Sequence, residues 1–382
     1  MKKLLYLFFL PFIFSCGGNS SEKPESGNVL ENLTYTVDTL VIDPKGEIID
    51  LGFGVHRSSV SLDGGTFYHF DMRKTAINEV DLDKLELKVI HPFSKEGPNA
   101  VGFNPPKIQS LANDRFLILS PMINVGIYKK NGQKEKNLKF NFKEIEGLGV
   151  DEEGLITNEA TLSHDEKLLF ALTMSDPSLS EVKLMVINPE SNTGKSIVLP
   201  NMLQALKFTL VLRLPKMISR ISEMISLKTF QEKLYITSSV TSDVYEYDYI
   251  SDSLRLVEFH HQLVPPRKTG ELEKNILTDE QEFEDAKAKQ LYQVAFKELI
   301  WDDQRKQFFR FAHKPIPDVE RKWYERAEVY LFVYDADLVL LGEKYLPELS
   351  KVPEFPFFKD GRLWSYVNVE DELGFAVMDF KF

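Results

Sequence analysis

One short element, a β-hairpin with a polar turn, recurs six times in this chain and constrains its fold more than any other feature. Its clearest copy runs from Ile108 to Leu119, where an apolar-alternating segment reaches Asn113-Asp114 and a strongly β-prone run follows. Sequences with the same pattern occupy 59–68, 160–170, 227–236, 299–309 and 357–364. Six copies of one hairpin predict a repetitive all-β architecture, and repetition alone defines no activity.

Each hairpin is followed by a second pair of short β-prone runs. After the copy at 59–68, for example, come 77–81 and 85–90, again joined by a polar turn. Four-stranded units that repeat every ~40–50 residues are typical of β-propellers. The sequence therefore predicts a six-bladed β-propeller with four-stranded antiparallel blades. A seven-bladed ring is the main alternative, but the sequence shows no seventh hairpin.

The two ends of the repeat array are complementary. The last unit stops at Phe382, directly after its third strand, and an unassigned β-prone segment lies at 34–42. We expect this N-terminal strand to supply the missing outer strand and to close the ring, which removes an exposed sheet edge. One domain, 33–382, follows from this arrangement.

Two insertions, at about 202–226 and 264–292, lengthen the middle units. In the first, the apolar residues from Met217 to Ile225 fall on one helical stripe and predict a basic amphipathic helix. We expect it to be a cap on the propeller, with a membrane contact or a partner-docking helix as alternatives. In the second, Thr278–Gln281 resembles a capping box and predicts an acidic helix that continues to Lys289. Both insertions are thus expected to be partly helical.

The first residues have the pattern of an export signal. Lys2-Lys3 precede an apolar run from Leu4 to Phe14, and the run ends at Cys16, the only cysteine in the chain. The pattern predicts a signal peptide at 1–15, lipidation of Cys16 and a flexible tether at 16–32. The protein would then be held at a membrane of the bacterial cell envelope. An ordinary secretory signal with an incidental cysteine is the alternative.

The composition excludes some functions. The net charge of −12 argues against a nucleic-acid partner, which requires a basic surface. The chain contains no nucleophile elbow, zincin histidine pair, Walker loop or dinucleotide glycine motif. Its seven histidines are scattered without metal-ligand spacing. We therefore expect no cofactor and no metal.

The connections between strands indicate where a ligand would bind. In a propeller, one face carries the A–B and C–D turns, which are short here, and the other carries the D–A and B–C connections. The long segments fall in the second group, and in repeat folds such an elaborated face is usually the binding face. Four residues there or nearby are candidates for binding: Glu96, Asn99, Arg310 and His313. The competing structural interpretations are a sealing turn for Glu96–Asn99 and a salt bridge between blades for Arg310.

The Glu96-Gly-Pro-Asn99 loop, the strand from Phe308 to His313 and the lipidation pattern at Cys16 resemble a group of Gram-negative lipoproteins of uncharacterised function. The resemblance implies a six-bladed, TolB-like propeller and supplies no catalytic residues. We expect a non-catalytic module that binds a protein, a small molecule or a glycan at its loop-rich face. A propeller hydrolase or lyase with its active site in the central funnel is the alternative.

Overall fold

A computed structural model describes residues 27–102, 105, 107–120, 124–138, 144–149, 156–173, 179–270, 272–317 and 326–382. The predicted signal peptide, Cys16 and most of the predicted tether lie outside these residues. The described chain is almost entirely β-structure, arranged in repeated four-stranded antiparallel sheets. No helix among the described residues is long and apolar enough to cross a membrane.

The first half of the chain forms three sheets and one strand that joins the last sheet. The strand is β1 (Thr34–Val41). Sheet 1 contains β2 (Ser58–Val60), β3 (Thr66–Asp71), β4 (Ala76–Asp81) and β5 (Glu86–Pro92). Sheet 2 contains β6 (Lys107–Leu111), β7 (Arg115–Ser120), β8 (Asn124–Lys129) and β9 (Lys134–Asn137). Sheet 3 contains β10 (Ile156–Leu162), β11 (Leu169–Thr173), β12 (Lys183–Asn188) and β13 (Thr193–Val198).

The second half adds three sheets and a small accessory unit. After a 3-10 turn at Pro200–Met202, the accessory unit begins with α1 (Leu203–Lys207), β14 (Leu210–Leu214) and β15 (Met217–Ile221). Sheet 4 follows as β16 (Ile225–Phe230), β17 (Lys233–Ser238), β18 (Val244–Asp248) and β19 (Ser253–Val257). The accessory unit is completed by β20 (Ile276–Leu277) and α2 (Glu280–Leu291). Sheet 5 contains β21 (Ala295–Asp302), β22 (Gln307–Pro315), β23 (Ala327–Tyr334) and β24 (Leu340–Tyr345). Sheet 6 contains β25 (Glu354–Lys359), β26 (Arg362–Val369) and β27 (Glu372–Lys381), with β1 beside β27.

Local turn chemistry explains why the hairpins form where the sequence predicts them. Between β6 and β7, Asn113 and Asp114 take φ angles of 57° and 58°, the left-handed values that a type I′ turn requires and that Asn and Asp tolerate. Two other hairpins share a serine–aspartate turn. The Ser163 hydroxyl donates to Asp165 Oδ1 at 2.7 Å, and the Lys167 amide donates to the same oxygen at 3.2 Å. Ser61 and Asp63 form the matching turn between β2 and β3.

The second strand of each sheet is apolar on both faces because a sheet packs against it on either side. In β3, Phe67 contacts Phe375 of sheet 6 with ring centroids 5.2 Å apart, while the next residue, Tyr68, contacts Phe116 of sheet 2 at 4.9 Å. Successive strand residues point to opposite faces, so neighbouring apolar residues serve different clusters. Hydrophobic clusters join sheets 1 and 2, 2 and 3, 3 and 4, 4 and 5, 5 and 6, and 6 and 1.

The N-terminal strand β1 pairs with β27 along its whole length. Thr34 lies opposite Lys381, and Val41 lies opposite Gly374. The last sheet therefore obtains its outer strand from the start of the chain, and β27 does not remain an unpaired edge.

The two insertions fold together into one accessory unit. Strand β14 pairs with β15 in antiparallel and with β20 in parallel orientation. One face of this sheet packs on α2 through a small cluster that includes Leu212, Leu277 and Phe283. The helix begins as expected, although the N-cap is Asp279, whose carboxylate accepts from the Glu282 amide at 2.8 Å, and not Thr278.

The predicted helix at 217–225 is wrong. Residues Met217–Ile221 form β15, and strand β16 starts at Ile225. Pro215 and Lys216 make a tight turn that places Met217 opposite Leu214, so the segment pairs with β14 instead of coiling. Isoleucine is β-branched and suits a pleated strand better than a helix. The segment resembled a helix because a short apolar run fits both the period of an α-helix and that of a β-strand.

The connections between sheets are long, as predicted, but several connections between second and third strands are short. Only 72–75 separate β3 from β4, and only Glu370-Asp371 separate β26 from β27. The connections between second and third strands are long, as predicted, in sheets 3 and 5. In sheet 3 the gap runs from Thr173 to Lys183, and in sheet 5 it runs from Pro315 to Ala327. The elaborated face therefore owes its size mainly to the connections between sheets.

Candidate functional site

The first strands of four sheets bring charged side chains together. They contribute Lys107 from sheet 2, Glu159 from sheet 3, Lys228 from sheet 4, and Lys297 and Glu298 from sheet 5. We call these five residues the inner-strand cluster. Lys107 Nζ lies 2.9 Å from Glu159 Oε2. Lys107 also acts electrostatically on Glu298, although their sheets are not neighbours in the chain, so the first strands face a common space.

Irregularities in the strands shape this cluster. Strand β21 shifts register between Phe296 and Leu299, which places Lys297 and Glu298 in the irregular segment. Strand β10 shifts register between Ile156 and Ala160, at Glu159. Bulges redirect side chains and occur frequently beside binding sites. The irregularities thus lie at three of the five charged residues.

Lys228 and Glu298 are the electrostatic centre of the cluster. Burial lowers the pKa of Lys228, and Lys107 adds to the effect while Glu298 opposes it. Burial would raise the pKa of Glu298, but Lys228, Lys107, the Ser226 hydroxyl and Lys297 outweigh it and lower that pKa. Both residues are nevertheless exposed to solvent, although many protein atoms surround them. Side chains that reach water but have lost part of their hydration lie in a recess with walls of protein. In this recess Glu298 is an anion, because its pKa is lowered.

The neighbouring lysine, Lys297, shares this environment. Burial lowers its pKa, against the opposing charges of Glu298 and Glu354. Glu354 is the first residue of β25, whose register also shifts before Phe357. Within that irregular segment Phe355 has a φ of 48°, a strained value for a bulky residue. The recess therefore extends toward sheet 6.

The predicted binding residue Arg310 lies behind the recess and not in it. Its side chain is completely buried. Nε donates to the Lys297 carbonyl at 2.7 Å, and the terminal nitrogens donate to the carbonyls of Ser238, Thr241 and Ser242. The guanidinium also lies 5.2 Å from the Phe296 ring centroid. Arg310 therefore braces the β21 bulge and ties it to the turn between β17 and β18 of sheet 4.

His313, the second predicted binding residue in β22, is also buried. It lies opposite Ala295 in the β21–β22 ladder. Burial, helped by the charges of Lys297 and Lys268, lowers the pKa of His313 to about 3. A neutral, buried imidazole is part of the packing between β21 and β22.

Glu96 and Asn99 lie elsewhere, at the outer side of sheets 1 and 2. Asn99 Oδ1 accepts from the Lys134 amide at 3.0 Å, at the start of β9, which is the outermost strand of sheet 2. The Ala100 amide donates to the Gly97 carbonyl and closes the turn. Glu96 is exposed. The structure does not bring these two residues together with Arg310 and His313, and Asn99 accepts a hydrogen bond from the first residue of β9.

Sequence reasoning missed the inner-strand cluster. Its signal was present as a lysine inside an otherwise β-prone run, Ser226-Leu-Lys228-Thr, and as the charged pair Lys297-Glu298 just before Leu299. A charge in the first strand of a blade is informative because that strand faces the centre. Without the assignment of each strand to its position in the sheet, those charges resemble an ordinary solvated face.

The accessory unit is fastened beside the recess. Lys268 Nζ lies 2.6 Å from Glu223 Oε1, with side-chain exposures of only 6% and 13%, and this ion pair joins the two insertions. The other carboxylate oxygen of Glu223 accepts from the Ser239 hydroxyl at 2.7 Å. Ser239 belongs to the same turn of sheet 4 that Arg310 holds, so one turn connects the accessory unit to the β21 bulge.

A shallow cleft between the turns of sheet 2 offers a weaker site. Its charged groups pair with one another: Lys130 Nζ lies 2.8 Å from Asp114 Oδ1, and Arg115 Nη2 lies 2.7 Å from Glu166 Oε1. This cleft adjoins the short turn of the β6–β7 hairpin. We assign it to the scaffold, because Lys130 and Arg115 already have carboxylate partners.

The fold places the chain among all-β, β-propeller-like proteins built from repeated four-stranded sheets. The family profile described as "Domain of unknown function (DUF4221)" matches residues 26–345, and the chain belongs to this family. No functionally curated protein matches the chain.

A solved structure of the same family agrees with this placement. The crystal structure of a DUF4221 family member from Bacteroides vulgatus superposes with a TM-score of 0.63 at 14% identity, covering 91% of this chain and 98% of that one. A putative exported protein from Bacteroides fragilis gives a TM-score of 0.49 at 6% identity, covering 93% of this chain and 97% of that one. The β-propeller domain of Myceliophteria thermophila Cps50 (Swd1) gives 0.43 at 9% identity, with coverages of 85% and 83%. At these identities the likeness concerns the fold alone.

Proposed function

We propose that this protein is a closed six-bladed, TolB-like β-propeller that binds a polar small molecule or glycan without transforming it. Each of sheets 1 to 6 would be one blade. Ring closure is supported by the hydrophobic cluster that joins sheet 6 to sheet 1 and by the pairing of β1 with β27. The first strands would then line a central channel.

The convergence of the inner-strand cluster carries the binding proposal. Lysines and glutamates from different blades meet in a recess where Lys228, Lys297 and Glu298 have lost hydration, so a ligand with hydroxyl, carboxylate or amino groups can replace the missing water contacts. Lys107, Lys297 and Glu354 lie at or near the starts of the first strands of sheets 2, 5 and 6. These strand ends are near the face that carries the long connections between sheets. The ligand would enter from that face.

We further propose that Cys16 carries the lipid anchor and holds this module at the bacterial cell envelope. The support is the sequence pattern at 1–16. Mass spectrometry of the protein extracted from membranes tests this directly, since Cys16→Ser should abolish the lipid adduct and release the protein from the membrane fraction.

Ligand binding is tested by thermal-shift screening of the chain against amino acids, uronic acids and neutral sugars, followed by calorimetric titration of any compound that stabilises it. Glu298→Gln should remove the stabilisation. Glu96→Gln is the matched control, because it removes an exposed carboxylate of the turn near sheet 2. A compound that binds both variants as tightly as the wild type would reject the recess as the site.

The alternative, a hydrolase or lyase in the same channel, has a separate outcome. A compound that binds and is then consumed, as followed by NMR, would favour the enzyme over the binding module. In the described part of the chain, no group of three or more His, Cys, Asp or Glu side chains is arranged to hold a metal ion.

A further inference from the structure

The β14–β15 hairpin of the accessory unit leaves an unusual surface open. Its inner face packs on α2 through Leu210, Leu212 and Leu214. Its outer face carries the cross-strand pair of Arg213 and Ile218. Strand β15 is an edge of the three-stranded sheet, so the hairpin projects both a bare strand and its tip from the accessory unit.

The tip of this hairpin is apolar and exposed. Ile218 is 72% exposed and Met217 is 48% exposed. Isolated exposed apolar residues are normal on a protein surface. Ile48, for example, is 78% exposed but lies between Glu47 and Asp50, two carboxylates. The hairpin differs because its exposed apolar residues are consecutive and have no acidic neighbours.

The charges of the hairpin oppose those of the whole chain. Arg213, Lys216 and Arg220 are all exposed. No aspartate or glutamate occurs between Glu190 and Glu223, although the chain has a net charge of −12. A local cationic surface on an anionic protein will attract a negatively charged partner and orient the rest of the molecule away from it.

The hairpin belongs to a unit that begins beside the start of the described chain. Asn28 Nδ2 donates to the Glu343 carbonyl at 2.8 Å. The Gln262 amide, where the second insertion begins, donates to the Glu343 carboxylate at 2.9 Å. The N-terminal segment therefore leaves the fold next to the root of the accessory unit.

We propose that the β14–β15 hairpin is a docking surface for an anionic lipid bilayer. Arginine and lysine would contact phosphate headgroups while Met217 and Ile218 enter the boundary between headgroups and acyl chains. The surface is a protruding tip that carries cations beside exposed apolar side chains, the combination found in interfacial membrane contacts. Docking at this tip would hold the accessory unit and its neighbouring sheets at a defined orientation to the membrane.

The test is vesicle co-sedimentation of the chain from Gly17 onward, which keeps every strand and helix of the fold and carries no leader. We expect binding to phosphatidylcholine vesicles that contain phosphatidylglycerol, reduced by salt, and little binding to phosphatidylcholine alone. Each basic residue near an anionic surface contributes about 1 kcal/mol, so replacing Arg213 and Lys216 by glutamate should lower the partition coefficient by about 30-fold or more. Ile218→Ser, a single mild change on the outer face, should weaken binding without altering charge.

The matched control reverses two lysines in exposed turns of sheets 1 and 3. Lys84→Glu/Lys167→Glu makes the same change in net charge, at side chains that are 66% and 72% exposed. Binding that survives in this control and is lost in Arg213→Glu/Lys216→Glu supports the proposal. Equal loss in both would show an effect of net charge alone and overturn it. The proposal also fails if anionic vesicles do not bind, or if the protein instead dimerises through the β15 edge.

Discussion

Replacing Arg310 by methionine tests whether this residue supports the scaffold or meets a ligand. Methionine keeps most of the buried volume and removes the guanidinium. Four main-chain carbonyls, those of Ser238, Thr241, Ser242 and Lys297, then lose a charged donor inside the protein. The contact with the Phe296 ring is lost as well.

Two opposing effects determine how much the Arg310→Met variant loses in free energy of unfolding. Hydrogen bonds to a charged group are each worth about 1.5–3 kcal/mol. The desolvation cost of a fully buried guanidinium offsets much of their sum, and removal of one side of a buried charged network typically costs about 3–5 kcal/mol. We expect Arg310→Met to lower the free energy of unfolding by about 4 kcal/mol. Arg310→Lys should fall between this variant and the wild type, since one ammonium cannot reach all four carbonyls.

The assay is equilibrium unfolding in urea, monitored by tryptophan fluorescence and circular dichroism. Arg362→Met is the matched control, because Arg362 is exposed at the start of β26, and it should change the free energy of unfolding by no more than about 0.5 kcal/mol. A loss below about 1 kcal/mol in Arg310→Met would refute the scaffold assignment. Unchanged stability with lost ligand binding would place Arg310 in the ligand site after all.

Other parts of the structure give further predictions. Burial lowers the pKa of His261 to about 3, so as the pH falls the unfolded chain binds a proton before the folded protein does. The free energy of unfolding is therefore highest above pH ~6.5 and decreases toward pH 3, by roughly 2 kcal/mol at pH 5 for this residue. The variant His261→Phe should make the urea midpoint less dependent on pH between pH 7 and 5. Lys268→Met removes the cation that pairs with the Glu223 carboxylate and should lower the free energy of unfolding by about 3–5 kcal/mol. Proteolysis within 202–226 should become faster. Asn99→Ala should cost about 1 kcal/mol and leave ligand binding unchanged. Removing β1 exposes the edge of β27 and should cause aggregation, detectable by light scattering; a monomeric product would contradict the role given to β1.

Much of the fold was accessible from sequence because the signals are local. The turn at Asn113-Asp114 and the apolar runs of the second strands depend on neighbouring residues, and the structure has a hairpin at each of the six predicted positions. The helix at 217–225 failed for a related reason. A short apolar run fits two periods, and only pairing with β14 decided between them.

The candidate site was not accessible in the same way. Lys107 and Glu298 are separated by half of the chain, and nothing in either local sequence indicates that they share one recess. Arg310 was recognised as a charge that needs partners, but in place of the predicted salt bridge the structure shows bonds to main-chain carbonyls, which every residue possesses. A carbonyl leaves no mark in the sequence that would identify it as a future acceptor.

The sequence by itself determined the repeated hairpin, its turns and the strand order within each unit, because these depend on contacts between residues close in the chain. Tertiary structure alone decided which charges converge, which turn Arg310 holds and how two distant insertions form one unit. The physical reason is that side chains on the first strands interact across the space between sheets. Their pKa values and partners therefore depend on an arrangement that no single segment encodes.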